Sequence, residues 1–184
     1  MPVALRTPRL LLREWRYDDI EPFAAMSADP AAMRYLRPLD RATATEWVER
    51  MRDHWAAHGF GNFVVELPGE APFIGVIGLN HVRWTLPFTP AVEAGWRLAR
   101  AYWGQGYALE AARAAIEDGF GRLGLAEIVA YTAPDNRASW RVMERLGMSR
   151  DPAEDFDHPS RPEGDKLRRC VLYRLRRPGA SSAP

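Results

Sequence analysis

Lysine and cysteine are almost missing from this chain: among its 184 residues, Lys166 and Cys170 are the sole representatives. A lone cysteine excludes an internal disulfide framework and a cysteine-based zinc site. Cys170 alternates within an apolar stretch and is expected in the core. No apolar run approaches ~18 residues, and no charged n-region followed by an apolar core opens the chain. A soluble cytoplasmic protein without membrane contact is the expectation. An excess of charge is missing as well. The formal net charge is +1, from 25 Lys+Arg against 24 Asp+Glu, and no basic stripe is evident, so a nucleic-acid partner is not expected. No internal repeat is present. The length suits one domain, residues 1–177, large enough to bury most of its apolar surface, followed by a disordered tail at 178–184.

Against these absences, residues 92–113 stand out. Val92, Ala94, Trp96 and Leu98 alternate with Glu93, Gly95 and Arg97, as on a strand with two different faces. Gly104 and Gly106 follow. A helical period then begins, with Ala108, Leu109, Ala112, Ala115, Ile116 and Phe120 on an apolar stripe. A strand that runs through a glycine turn into a helix gathers free backbone N–H groups at the positive end of the helix dipole. Glycine without Cβ lets an anion approach the main chain, a geometry that suits phosphate. The P-loop is excluded, because no Lys-Ser or Lys-Thr pair opens the helix. The dinucleotide fingerprint, and with it an NAD-dependent oxidoreductase, fails because Leu109 stands at its last glycine or alanine. On the loop alone, a strand–helix turn without any ligand remains open.

The sequence WGQGYA, preceded by GWRLARAY and followed by EAARA, resembles the acetyl-CoA loop of GNAT acetyltransferases. Gly106 and Ala108 fit its last positions. Trp103 stands where Gln or Arg is usual, as in the ribosomal-protein N-acetyltransferase-like (RimJ/RimL-type) branch. Two other segments carry the same resemblance. Near the start, TPRLLLR is followed by an aspartate-led helix, a DP turn and MRYL. Later, NRASWRVMERLGM matches an Asn-x-x-Ser motif that leads a helix into Leu-Gly-Met. The likeness runs from Arg6 to Arg176. It implies an α/β (α+β) GNAT fold: a mixed, mostly antiparallel twisted sheet of six to seven strands, helices on both faces, and a splayed central parallel pair.

Read in order, the pattern predicts a strand over 6–15, a helix led by Tyr17-Asp18-Asp19, and a short helix from Pro30 to Tyr35. A helix follows from Thr43, with Thr43 and Glu46 as a capping box, and stops at Gly59. Strands are expected at 62–67, at 73–79 (central, with Gly75 and Gly78 marking close packing or a bulge), at 92–98, at 127–132 and near 168–175. A helix led by Asn136 carries Trp140, Met143 and Leu146 inward.

The resemblance implies an N-acetyltransferase that uses acetyl-CoA and an amine acceptor, acting as a monomer or homodimer. It places pantetheine against the backbone of Trp96 and Leu98, and pyrophosphate on Trp103, Gly104, Gln105, Gly106, Tyr107 and Ala108. Asn136 and Ser139 would touch cofactor or substrate. Met143 occupies the position where many members carry a tyrosine acid, and Ser139 is the substitute that the branch suggests for protonating the thiolate. For both Asn136 and Ser139, ordinary helix-start capping is the competing reading. Glu93 is the first candidate for general base, with a solvated or Arg97-facing strand residue as its alternative. The histidines are read singly: His54 as surface or packing, His81 as a border of the acceptor site, His158 as a turn residue. No pair is read as having ligand spacing, and no metal is expected. Loops 33–43 and 81–91 are expected to set the acceptor. A non-catalytic acyl-CoA-binding regulatory domain is the other functional reading, supported by Met143.

Overall fold

The computed structural model describes residues 3–179; beyond residue 179 the expected tail lies outside the described residues, while Pro178 and Gly179 form a turn. Nine strands and four α-helices occur among the described residues. They run β1 (Ala4–Arg6), β2 (Leu11–Arg13), α1 (Ile20–Ala28), α2 (Arg41–His58), β3 (Asn62–Leu67), β4 (Ala71–His81), β5 (Val92–Leu98), α3 (Tyr107–Gly121), β6 (Glu127–Thr132), α4 (Arg137–Arg145), β7 (Ser149–Arg150), β8 (Phe156–Asp157) and β9 (Arg169–Arg176). The sheet order is β1-β2-β3-β4-β5-β6-β9-β7, with β8 paired to β9. Every pairing is antiparallel except β5 with β6. The mixed sheet with one central parallel pair is therefore present. Its extra strands are pieces of two or three residues, too short to show alternation in a sequence.

Three local expectations are corrected. Residues 6–15 form a hairpin, not one strand: Thr7 N donates to Leu10 O (3.0 Å) and Leu10 N to Thr7 Oγ1 (2.9 Å), which turns the chain. Residues 30–35 form turns instead of a helix; the Asp29 carboxylate accepts from Ala31 N at 2.8 Å, a local bond that competes with helix. The third helix expectation began too late. Asp40 caps α2 by accepting from Thr43 N at 2.8 Å, so Thr43 lies inside the first turn and does not lead a capping box. The stop at Gly59 holds, with φ 69°.

Alternation on β5 assigns the two layers. Ala94 packs with Leu79 of β4 and Ile116 of α3. Arg97, on the opposite face, reaches Ser27 and Phe23 of α1 and Trp47 of α2. Gly75 and Gly78 do mark close packing. A Cβ on Gly75 would sit 2.3 Å from Arg97 O, and one on Gly78 2.3 Å from Gly61 O.

The register between β5 and β6 is a single pair, Glu93 with Val129. On its other edge β5 pairs with β4 along its whole length, from Val92 with His81 to Leu98 with Gly75. Past Glu93 the strand thus keeps one neighbour and loses the other, and Gly75 allows β4 to hold the end of the opened stretch. Gly75→Ala is expected to cost about 2–4 kcal/mol through backbone overlap at Arg97 and Leu98. Denaturant unfolding checks this, with Gly69→Ala, which meets nothing within 4 Å, as a control for the loss of a glycine at positive φ.

Candidate active site

Pairing geometry decides which backbone groups of β5 face the opening. Ala99 N donates to Ile74 O at 2.9 Å, which flanks the Leu98–Gly75 pair. In an antiparallel ladder that bond makes Leu98–Gly75 a non-hydrogen-bonded pair, and by alternation Trp96–Ile77 is one too. The N–H and C=O of Trp96 and Leu98 therefore point away from β4, into the gap beside β6. One of these four groups is already used, because Trp103 Nε1 donates to Leu98 O at 2.8 Å.

The chain leaves β5, makes a short 3-10 turn and enters the glycine loop. Gly104 has φ 76° and Gly106, the N-cap of α3, has φ 81°. Both values belong to the left-handed region, which glycine adopts without steric cost. A Cβ on Gly104 would meet nothing within 4 Å, and one on Gly106 only the Arg9 guanidinium at 3.5 Å, so the loop backbone is open to approach. Trp103 N donates to Arg100 O (3.2 Å) and Glu110 N to Gly106 O (3.1 Å). Between them, the amides of residues 104–109 have no hydrogen-bond partner among the described residues. Of the loop residues expected to present backbone donors, Trp103 is thus the exception. Its amide is spent, and its half-exposed ring closes the end of β5.

A hairpin far away in sequence steadies this loop. Glu110, in the first turn of α3, accepts from Thr7 Oγ1 (2.6 Å), Arg9 N (3.0 Å) and Arg9 Nε (2.7 Å). Arg9 Nη1 donates to Gln105 O at 3.0 Å, and its guanidinium lies 4.5 Å from the centre of the buried Tyr107 ring. Burial works to raise the Glu110 pKa, but the bonds from Thr7 and Arg9 prevail and lower it. Sequence reasoning missed Arg9, since nothing local ties residue 9 to residue 110.

Across the gap, three expected residues come together. Ser139 Oγ receives Trp96 Nε1 (3.3 Å) and Asn136 Nδ2 (3.0 Å). Asn136 Nδ2 also reaches Thr132 Oγ1 (2.8 Å), and Asn136 Oδ1 accepts from Ser139 N (3.4 Å), so the capping reading of Asn136 holds as well. A hydroxyl oxygen that accepts two N–H donors keeps its own proton free to donate elsewhere. Met143 is 1% exposed and packs in the core beside Ala130 and Tyr173.

Glu93 points to the other face of β5, away from Trp96 and Ser139. Burial is the main influence that raises its pKa; the Tyr131 phenol and the Arg83 charge oppose it. The phenol is pushed up in turn, by burial first and then by the Glu93 charge. Asn80, directly opposite Glu93 in register, has Oδ1 buried without a partner. On the same face, Gly95 leaves open space within 4 Å of a would-be Cβ. Beyond it lies Arg97, whose guanidinium finds only Ser27 Oγ (3.2 Å), Met33 Sδ (3.6 Å) and the rings of Phe23 and Trp47. Its Nε is buried and unpartnered, and burial lowers its pKa to about 10. The alternative reading of Glu93 as an Arg97-facing residue finds no support, since the two form no ion pair.

The histidines require a correction. His54 and His58 are four apart on α2 and so share a face, and His81 at the end of β4 joins them, with candidate ligand atoms all within 4.8 Å of one another. His158 behaves as read, accepting from Ser160 N at 3.2 Å within its turn. Cys170 is buried and its thiol is pushed up to about 12, chiefly by burial. Among the described residues no helix is long and apolar enough to cross a membrane.

Comparison with known proteins gives the family. Residues 9–149 match the model of the acetyltransferase (GNAT) domain. The chain is 31% identical over 165 residues to an uncharacterized N-acetyltransferase, YnaD, of Bacillus subtilis, covering 88% of this chain and 90% of that protein. A solved acetyltransferase from Agrobacterium tumefaciens is 31% identical, with a TM-score of 0.76 and 95% of each chain covered. A RimL ribosomal L7/L12 alpha-N-protein acetyltransferase, solved in complex with coenzyme A, is 16% identical and shares the fold, with a TM-score of 0.76 over 95% of this chain and 98% of that one. This chain belongs to the GNAT acetyltransferase family, whose acetyl donor is acetyl-CoA.

Proposed function

We propose that this acetyltransferase moves the acetyl group to a primary amine by direct attack on the thioester, with Ser139 as the acid that protonates the leaving thiolate. The observation that carries the reading is the Ser139 hydroxyl, seated by two N–H donors at the edge of the opened strand. Pantetheine would take the free backbone groups of Trp96 and Leu98 N–H, and the pyrophosphate would take the amides that follow Trp103. Glu93, through water, first takes a proton from the bound ammonium and releases it to solvent; the neutral nitrogen then attacks the carbonyl carbon while a backbone N–H in the gap stabilises the oxyanion. The C–S bond then breaks, the thiolate takes the Ser139 proton, and the nitrogen gives up its proton through water to Glu93. The serine oxygen, stabilised meanwhile by Trp96 and Asn136, recovers a proton from solvent.

The acceptor would enter on the Glu93 face. Glu93 and the Asn80 carbonyl oxygen supply acceptors for an ammonium group, and Arg97 supplies an unmatched cation. A half-buried guanidinium with no carboxylate partner and a buried, unpartnered Nε is costly, and an anionic group on the acceptor would offset that cost. This favours an acceptor with an amine and an acidic group, such as an amino acid or a peptide with an acidic residue next to its N-terminus, over a polycationic amine. A thiol-release assay with an amine panel tests this. Turnover with carboxylate-bearing amines, lost preferentially in Arg97→Met, is expected. Equal turnover of esterified acceptors would remove the Arg97 assignment, and no turnover with any amine would favour a non-catalytic acyl-CoA-binding role.

Ser139→Ala is expected to lower kcat about 10²-fold, in the range typical of a lost general acid, with little change in affinity for acetyl-CoA. Single-turnover kinetics beside calorimetric titration separates the two effects.

The raised pKa of Glu93 sets a pH dependence. As base it works only when ionised, so kcat/KM should fall as pH drops through its folded pKa, above the ordinary carboxylate range, and Glu93→Gln should abolish that limb. For stability the sign is opposite. A raised carboxyl pKa favours the fold below the unfolded pKa, and that contribution is lost as pH rises through the folded one. Thermal melts at neutral pH should therefore show Glu93→Gln no less stable than the parent.

A further inference from the structure

The corner where α2 ends and β4 ends contains three imidazoles that the acetyl-transfer reading does not use. His54 and His58 face the same way from the last two turns of α2, and His81 is the final residue of β4. Their ring centroids are 4.6 Å apart for His54–His58, 4.8 Å for His58–His81 and 5.7 Å for His54–His81. We propose that these three histidines form a binding site for a divalent transition metal of the zinc class.

The state of His54 is the strongest argument. Its Nδ1 lies 2.8 Å from Phe60 O, and a carbonyl can only accept, so Nδ1 carries the proton. Nε2 is then the lone-pair nitrogen. It is buried and has no hydrogen-bond partner. A buried acceptor without a donor costs free energy, and the two neighbouring rings offer imidazoles at the same corner. A ring whose second nitrogen is tied to a backbone carbonyl is also the arrangement in which protein imidazoles are oriented for metal.

Packing alone accounts for part of the cluster. Phe60 lies edge-on to His54 (5.1 Å) and near His81 (5.0 Å), which explains why the rings gather. It does not explain a buried, unsatisfied Nε2 on His54 in a group of three imidazoles that each offer a ring nitrogen within 4.8 Å of the others. Nitrogens bound at about 2.0–2.1 Å around a tetrahedral ion stand roughly 3.3 Å apart, so the set must contract. His58 and His81 are both exposed and can turn inward, while His54 is the fixed member.

The surroundings tolerate a cation. Arg122 reaches Gly59 O at 2.9 Å, one residue from His58, but Asp118 matches its charge through bonds of 2.8 and 2.6 Å. Three neutral nitrogen ligands suit zinc or its cobalt and nickel neighbours, not the oxygen-seeking calcium or magnesium. A fourth position would stay open to water. Bound metal would tie the last turn of α2 to the end of β4, one residue past the point where Asn80 faces Glu93.

The test uses the full chain without an affinity tag, stripped by chelator and titrated with zinc sulfate by calorimetry. Thermal melts with zinc and with chelator accompany it, and cobalt(II) substitution gives a spectroscopic readout. One zinc per chain, a higher Tm with zinc than with chelator, and visible cobalt bands of a tetrahedral site are expected. His58→Gln and His81→Gln are surface changes that leave the fold intact. Each should weaken binding by more than about tenfold, the least that loss of even an outer partner costs a metal site. His158→Gln, outside the cluster, should leave binding unchanged. Zinc affinity unaltered by His58→Gln and His81→Gln, or no binding by the parent chain, would overturn the proposal.

Discussion

Strands β5 and β6 touch in register at Glu93 and Val129 and separate beyond that pair. Each strand stays anchored on its other edge, β5 by β4 and β6 by β9. An unpaired backbone edge inside a protein is costly unless something hydrogen-bonds to it. Along β5 the unmatched groups are those of Trp96 and the Leu98 N–H, the donors and acceptors on which the proposed pantetheine site rests. The gap follows from that single pairing, with the glycine loop placed at its end and the Ser139 cluster across it.

The two faces of β5 are used in different ways. On one, Ala94 and its neighbours pack against α3, and Trp96 reaches the Ser139–Asn136 pair. On the other, Glu93, Asn80 and Arg97 carry charged or polar atoms into a region where burial shifts their pKa values or leaves atoms unpartnered. Arg13 shows how the same protein treats a structural cation. Its guanidinium is matched by Asp19 through two bonds of 2.8 Å, by Glu66 at 3.0 Å and by the Pro72 and Glu14 carbonyls. Arg97 has no such set. That contrast, within one sheet, is the observation on which the proposed acceptor side at Arg97 rests.

The glycine loop, the strand before it and the Asn136 helix were legible because each is a local pattern: alternation, a turn residue, then a period near 3.6. The hairpin at Thr7 was not, since a single threonine accepting from the residue three ahead turns a run of leucines that otherwise alternates well. The turns at 30–35 failed for a similar reason, with Asp29 taking Ala31 N into a local bond where a helix had been expected. Arg9 and Tyr131 were missed because their partners, Glu110 and Glu93, lie far away in sequence and only the fold joins them. The histidine cluster was half visible, as His54 and His58 share a helical face, but His81 needed the α2–β4 corner.

Trp103 stands where the resemblance expects Gln or Arg, and its indole has a task of its own there. The indole gives its N–H to Leu98 O at 2.8 Å and fixes the exit of β5. A guanidinium does reach the loop, from Arg9 in the first hairpin, but Glu110 already balances its charge and Gln105 O occupies one of its nitrogens. Arg9 therefore holds the loop more than it attracts an anion. The donors left without a partner are the amides of residues 104–109, with the helix dipole behind them, and they belong to the backbone. An anion site built from backbone donors does not depend on which side chain stands at its rim, so the departure at Trp103 leaves the donors of residues 104–109 in place.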